Sequence, residues 1–216
     1  MLFRSYVKEK VTTELNSITD NPLIFTNSDL ISGGNFHGQV IAMAMDFLAI
    51  AMAELGSISE RRIEKMTNPN LSGLPAFVTE EGGLNSGFMI PHVVSASLVS
   101  ENKVLSHPAS VDSIPTSADK EDHVSMGPIA ALKARKICSN LSKILAIELL
   151  AACQALDILK PLKPSYTLKV VYNKIREVSP YMKTDRSLSK DIDLVSKLVQ
   201  SGKILQLVEN TGVGIQ

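Results

Sequence analysis

Two stretches constrain this chain most: Val40 to Leu55 and Ile144 to Leu156. In the first, Val40, Ile41, Ala44, Phe47, Leu48, Ala51, Met52 and Leu55 fall at helical spacing, while Met43, Met45 and Ile50 fill the other side. A helix that is apolar nearly all round must be buried, in a large core or in a subunit interface. Asp46 and Glu54 interrupt the first stretch and Glu148 the second, which is also short for a membrane span. Both therefore read as buried helices of a protein with no membrane partner. Two such helices exceed what a small monomer can bury. This predicts an oligomer whose core is shared between subunits.

The rest of the chain is punctuated by Pro, Gly and Asn. A helix occupies residues 1 to 16, with Met1 entering mid-pattern and no N-cap before it. Thr19-Asp20-Asn21-Pro22 ends it, because Pro disfavours helix in the residue before it. A loop over 22 to 37 follows, with a short strand at Leu23 to Phe25 and a tight turn at Gly33-Gly34. Helices are predicted from Gly38 to about Met66 and from about Phe88 to Leu105. A third starts after Ser125, carries Pro128 in its first turn, and ends near Leu159 before Pro161 and Pro164. Residues 165 to 179 and 189 to 201 read as shorter amphipathic helices, with the last ten residues frayed. There is no βαβ alternation, so the class is all-α, with long near-parallel helices in a bundle. The expected division places the bundle and its loops in 1–160 and the shorter peripheral helices in 161–216.

Charge and composition remove several function classes. Lys+Arg and Asp+Glu both number 22, so no net field draws nucleic acid, and the absence of Trp argues against base stacking. Cys138 and Cys153 lie in apolar helical sequence and read as two buried, reduced thiols. His37, His92, His107 and His123 form no His-x-His or His-x-x-x-His pair, so no metal site is indicated. No Gly-x-Ser-x-Gly and no phosphate-binding glycine loop occurs. The first ten residues lack the apolar core of a signal peptide, and a cytoplasmic location is expected.

Chemistry is then expected in three polar loops: Asn16 to Gly38, Asn68 to Met89, and Ser106 to Met126. Glu121-Asp122-His123 sets two carboxylates beside an imidazole just before a helix. That is either an acid/base or cation-recognition cluster, or a capping run with solvated charges.

Read together, the loops carry an ordered series. Asn16-Ser17-Ile18-Thr19-Asp20-Asn21-Pro22-Leu23-Ile24-Phe25 is followed by Ser32-Gly33-Gly34-Asn35-Phe36-His37-Gly38 and Asn85-Ser86-Gly87-Phe88-Met89-Ile90. Ser100-Glu101-Asn102-Lys103, Ser106-His107-Pro108, Val111-Asp112-Ser113-Ile114-Pro115-Thr116-Ser117-Ala118 and Glu121-Asp122-His123-Val124-Ser125-Met126 complete it. In this order and spacing the series resembles the aromatic amino acid ammonia-lyases, the histidine-directed members above all. The resemblance covers nearly the whole chain and weakens after about residue 160.

That resemblance implies elimination of ammonia from L-histidine to give trans-urocanate. It implies a homotetramer with a central helix bundle and active sites built from three subunits. The implied electrophile is 4-methylideneimidazole-5-one (MIO), formed from an internal Ala-Ser-Gly. Carried over by position, Glu121 faces the substrate imidazole, Phe36 packs beside the electrophile, and Asn21 lies near the electrophile and the substrate's polar end. Met89, Lys120 and His123 fall where the substrate side chain is bound. Phenylalanine-directed relatives carry an amide at the position of Glu121, which favours histidine.

Two departures stand out. Asp119-Lys120 replaces the Asn-Gln usual before Glu-Asp-His, and a lysine beside Glu121 could pair with it. No Ala-Ser-Gly exists among the 216 residues; Leu71-Ser72-Gly73 and Asn85-Ser86-Gly87 are the nearest strings. The family's catalytic tyrosines, substrate-binding arginine and cofactor loop are expected N-terminal to Met1. The chain thus reads as the C-terminal portion of such an enzyme, inactive without a missing N-terminal half. A non-catalytic helical scaffold and a lyase for another aromatic amino acid are the alternatives.

Overall fold

The computed structural model describes residues 2–214. Helix makes up 61% of the chain and strand 4%, which settles the all-α class. In chain order the elements are α1 (Leu2–Leu15), β1 (Leu23–Ile24), β2 (Leu30–Ile31), α2 (Gln39–Thr67), α3 (Pro69–Ser72), α4 (Met89–Leu105), α5 (Gly127–Ile158), α6 (Tyr166–Val178), α7 (Ser189–Gln200) and α8 (Lys203–Glu209). The two strands form one antiparallel hairpin, with Leu23 opposite Ile31 and Ile24 opposite Leu30. The expected strand at Leu23 is therefore present, and Leu30–Ile31 is its partner.

The chain divides into two units. The first comprises the residues through Glu54 together with Lys103–Cys138. Its core is built from small side chains: Ala42, Ala49, Ala130 and Ala134 are buried with Met126 and Ile137, and Met45 packs against them. Alanine faces let helix backbones approach closely, so the start of α2 packs on the start of α5 through its small residues. On the other side of α2, Phe47 meets Phe3 and Tyr6 of α1, with ring centroids 4.8 and 5.5 Å away.

Within the single chain the first apolar stretch is covered on one side only, which leaves the expected subunit interface as the place for the other. Val40, Met43 and Ile50 are 40%, 55% and 46% exposed, while Ala42, Ala44 and Ala49 are fully covered. By length and composition α2 could cross a membrane. Yet Asp46, in its third turn and 3% exposed, accepts a backbone N–H from Ser110, as a helix packed in protein does.

The second unit comprises Leu55–Asn102 and the residues from Ser139 onward. Ile144, Ile147, Leu150 and Ala151 of α5 are buried here, so the second apolar stretch is covered as expected. Ile63 of α2 and Val99 of α4 share one cluster with it; Val171, Ile175 and Val195 of α6 and α7 share the other. Gln154, 1% exposed, satisfies both backbone groups of Met182: its Nε2 donates to the carbonyl at 2.8 Å and its Oε1 accepts the N–H at 3.1 Å. Ser165 caps α6, its Oγ accepting Leu168 N–H at 3.5 Å.

Two further expectations change. The frayed end predicted from residue 207 is in part α8, because Ile204 and Val208 pack on the core of this unit. Residues 215 and 216 lie outside the described residues. Cys153 is buried as expected, but Cys138 is exposed.

Candidate functional site

Two of the three polar loops, 16–38 and 106–126, belong to the first unit and meet there. Their local geometry follows from short-range hydrogen bonds. Asn21 folds the first loop on itself: its Oδ1 accepts the Ser32 hydroxyl at 3.2 Å and the Gly33 N–H at 2.9 Å. Phe36 is 54% exposed and borders a cavity of about 520 Å³ with Glu14, Thr19, Ile41 and Met45. Asn35 donates to the Glu14 carboxylate at 3.4 Å, fixing the loop against α1.

The second loop closes on itself at its far end. Thr116 and Glu121 exchange backbone hydrogen bonds at 2.8 and 3.4 Å, and the Thr116 hydroxyl donates to Glu121 Oε2 at 3.1 Å. Between them Ser117, Ala118 and Asp119 have φ of 54°, 57° and 63°. Left-handed backbone costs an L-residue about 1–2 kcal/mol, and such strain concentrates at functional sites. The turn presents Lys120 and Glu121 at the surface, and no ion pair joins them among the described residues. All three residues of Glu121-Asp122-His123 are exposed, as the solvated-charge alternative expects. The group that reaches the first turn of α5 is Ser125, whose Oγ accepts Gly127 N–H at 3.4 Å.

The loops meet at two histidines. His37 and His123 stack with ring centroids 4.3 Å apart and an interplanar angle of 9°. His37 Nε2 lies 2.5 Å from the His123 carbonyl oxygen, and His123 Nδ1 lies 3.1 Å from Ser113 Oγ. The structure thus brings Phe36 and Glu121 into adjacent loops, while the hydrogen bonds of Asn21 stay within its own. His37, Ser113 and Thr116 were not among the residues the sequence singled out for the site. No local signal marks them; their partners lie up to 86 positions away.

Met89 opens α4 in the second unit. The turn before it is held by Asp185, whose carboxylate accepts the N–H groups of Ser86 at 2.7 Å and Gly87 at 2.9 Å. Asn85 Oδ1 in turn accepts the Asp185 N–H at 2.9 Å. Gly87 has φ of +53°, and a Cβ there would lie 2.5 Å from the Phe77 carbonyl oxygen, so only glycine fits.

A long helical framework with an Asn-Pro hairpin loop, a Phe-His-Gly helix entry and an exposed Glu-Asp-His loop is the arrangement of an aromatic amino acid lyase. The family pattern of that description matches residues 4–177. The chain belongs to the aromatic amino acid lyase family. Among its relatives, histidine ammonia-lyase 1 of Fusobacterium nucleatum is 55% identical over 207 residues, covering 94% of this chain and 40% of the relative. The crystal structure of histidine ammonia-lyase from Trypanosoma cruzi superposes with a TM-score of 0.92 at 53% identity, over 96% of this chain and 42% of the other. Tyrosine aminomutase from Streptomyces globisporus gives a TM-score of 0.90 at 41% identity, over 99% and 41%. The chain therefore spans about 40% of the length of the relatives it matches.

Proposed function

We propose that this chain forms part of a histidine ammonia-lyase, which eliminates ammonia from L-histidine to give trans-urocanate, and that it supplies one side of the substrate pocket. Glu121 carries the reading. Its carboxylate stands on an exposed loop and takes a side-chain hydrogen bond from Thr116 at 3.1 Å. An ionised carboxylate has room for several more donors, and an imidazole N–H suits it. An apolar wall would leave that N–H unpaired. Glu121 orients the substrate ring and is placed to hold a proton during elimination. Phe36 offers an exposed aromatic face. Asn21 spends its carbonyl oxygen on its own loop, which leaves its NH₂ group for the polar end of the substrate. Lys120 and His123 belong to the same part of the pocket in the first unit, and Met89, in the second unit, is a separate substrate-binding proposal.

The reaction's electrophile, MIO, would have to come from another segment or another chain. The two nearest strings do not fit its formation. Both lack the alanine, and both are tied down: Gly73 N–H donates to the Pro69 carbonyl at 3.1 Å and Gly87 N–H to Asp185 at 2.9 Å. Activity is accordingly assigned to the chain together with the remainder of such an enzyme, in a cytoplasmic homotetramer. The exposed side of α2 is the surface that association would cover. The lack of an Ala-Ser-Gly among these residues supports a second reading, a non-catalytic oligomerising scaffold.

Urocanate absorbance after adding L-histidine separates the two. The chain alone is expected to be inactive. Mixed with the N-terminal half of a related lyase, it should turn over, and Glu121→Gln should lower that rate by about a hundredfold or more. No turnover in either case would favour the scaffold.

A further inference from the structure

The stacked histidines carry more than proximity, because their hydrogen bonds fix which nitrogen of each ring holds the proton. The His123 carbonyl can only accept, so His37 Nε2, 2.5 Å away, is the protonated nitrogen and donates. The other nitrogen of His37, Nδ1, is buried with no partner, which suits a bare ring nitrogen better than an N–H. The Ser113 hydroxyl donates its one proton to the Asp122 carbonyl at 3.2 Å. His123 Nδ1, 3.1 Å from the same Oγ, must therefore be the donor of that pair. The donating nitrogens thus differ between the two rings, Nε2–H on His37 and Nδ1–H on His123. Together the bonds run from the loop of Phe36 into the loop of Glu121.

We infer that His37 and His123 are a pair of positioning residues: a clamp that holds Phe36 and Glu121 in register for the substrate ring. This rests on reading those two residues as pocket residues. His37 directly follows Phe36, and His123 lies two positions beyond Glu121. Each ring spends an N–H within the protein, a bond that is separate from any contact His123 makes with substrate. The clamp is seated on a fixed point. Gly38, at φ of +76°, turns the chain into α2, and a Cβ on it would lie 3.4 Å from the hydroxyl of Ser125 at the start of α5.

The test uses the chain with its histidine rings labelled with nitrogen-15. Long-range nitrogen–proton correlation is expected to show His37 as Nε2–H and His123 as Nδ1–H. Rapidly averaging tautomers at both rings would overturn the clamp. His37→Leu should speed amide hydrogen exchange at Thr116 and Glu121 by roughly tenfold, as loss of one ordering hydrogen bond would. His37→Gln, which offers an N–H near the place of Nε2, should restore it. In the complemented urocanate assay His37→Leu should lower kcat by about a hundredfold, the scale of a small misplacement of a catalytic group. Exchange and turnover equal to the parent in His37→Leu would refute positioning. An inactive parent mixture would count against the lyase reading alone, since the ring and exchange readouts need no activity.

Discussion

Asp46 of α2 and Ser110 of the 106–126 loop are joined by a 2.7 Å hydrogen bond from the Ser110 backbone N–H to a carboxylate that is 3% exposed. Gln39, two turns earlier on the same helix, donates to the Ser110 carbonyl at 2.9 Å. Both backbone groups of Ser110 are thus held by α2, and the loop that ends in Glu121 starts from a fixed point. Lys133 adds a charge 3.8 Å from the other Asp46 oxygen.

Removing that anchor should be costly. Asp46→Ala leaves the Ser110 N–H without its acceptor and is expected to destabilise the chain by about 1–3 kcal/mol. Asp46→Asn keeps an acceptor and should lose less. Urea denaturation midpoints decide it, and an Asp46→Ala protein as stable as the parent would remove Asp46 from this role.

Acid should weaken the second unit through two carboxylates. Burial works against the charge on Asp157, but hydrogen bonds from Lys160 and Tyr172 and the charge of Arg176 outweigh it and hold the carboxyl below its ordinary value. Asp191 is likewise opposed by burial and lowered on balance, chiefly by Arg186 and Ser179. A carboxyl depressed in the folded state contributes its full stability above the unfolded pKa, near ~3.9, and loses it as pH falls through the lower folded value. Stability measured from pH 7 downward should therefore fall below about pH 4. The Asp157→Asn, Asp191→Asn double variant should be less stable at pH 7 and show a shallower acid slope. A slope as steep as the parent's would assign the acid loss to other groups.

The outward side of α2 should drive association. Val40, Met43 and Ile50 are exposed at helical spacing on one helix. The parent chain is expected to sediment above the monomer at micromolar concentration. Met43→Glu combined with Ile50→Glu should shift it toward the monomer without loss of helical signal. A parent that sediments as a clean monomer would leave this stripe without an occupant.

The two thiols should react at very different rates. Burial pushes the Cys153 thiol up to about 11, opposed by a smaller effect of the Arg176 charge and aided by that of Asp157. At neutral pH it is both covered and protonated, and the thiolate is the reactive form. Cys138 is exposed. A thiol-specific reagent is expected to modify Cys138 in the native chain and Cys153 only after denaturant. Equal rates would mean that the second unit opens readily.

Much of the helical framework was legible in local patterning. Pro91 and Pro128 sit in the first turns of α4 and α5, and Pro161 and Pro164 follow the end of α5, as the sequence predicts. The ordered loop series also pointed to the family that the relatives establish. The loop interiors were less legible. The α3 turn, the paired strand at Leu30–Ile31 and α8 are each short, and short elements carry too few residues for a periodic signal. The turn at Ser117–Asp119 takes positive φ without a glycine to announce it.

The sequence by itself determined where the long helices run and which loops hold the polar residues, because spacing of apolar side chains, proline and glycine acts over a few neighbouring positions. Only the tertiary structure decided which side of α2 is covered, that Asp185 braces the turn at Ser86-Gly87, and that His37 stacks on His123. Those outcomes depend on residues 86 to 99 positions apart meeting with the right geometry. Such meetings follow from how whole helices pack, which no local pattern encodes.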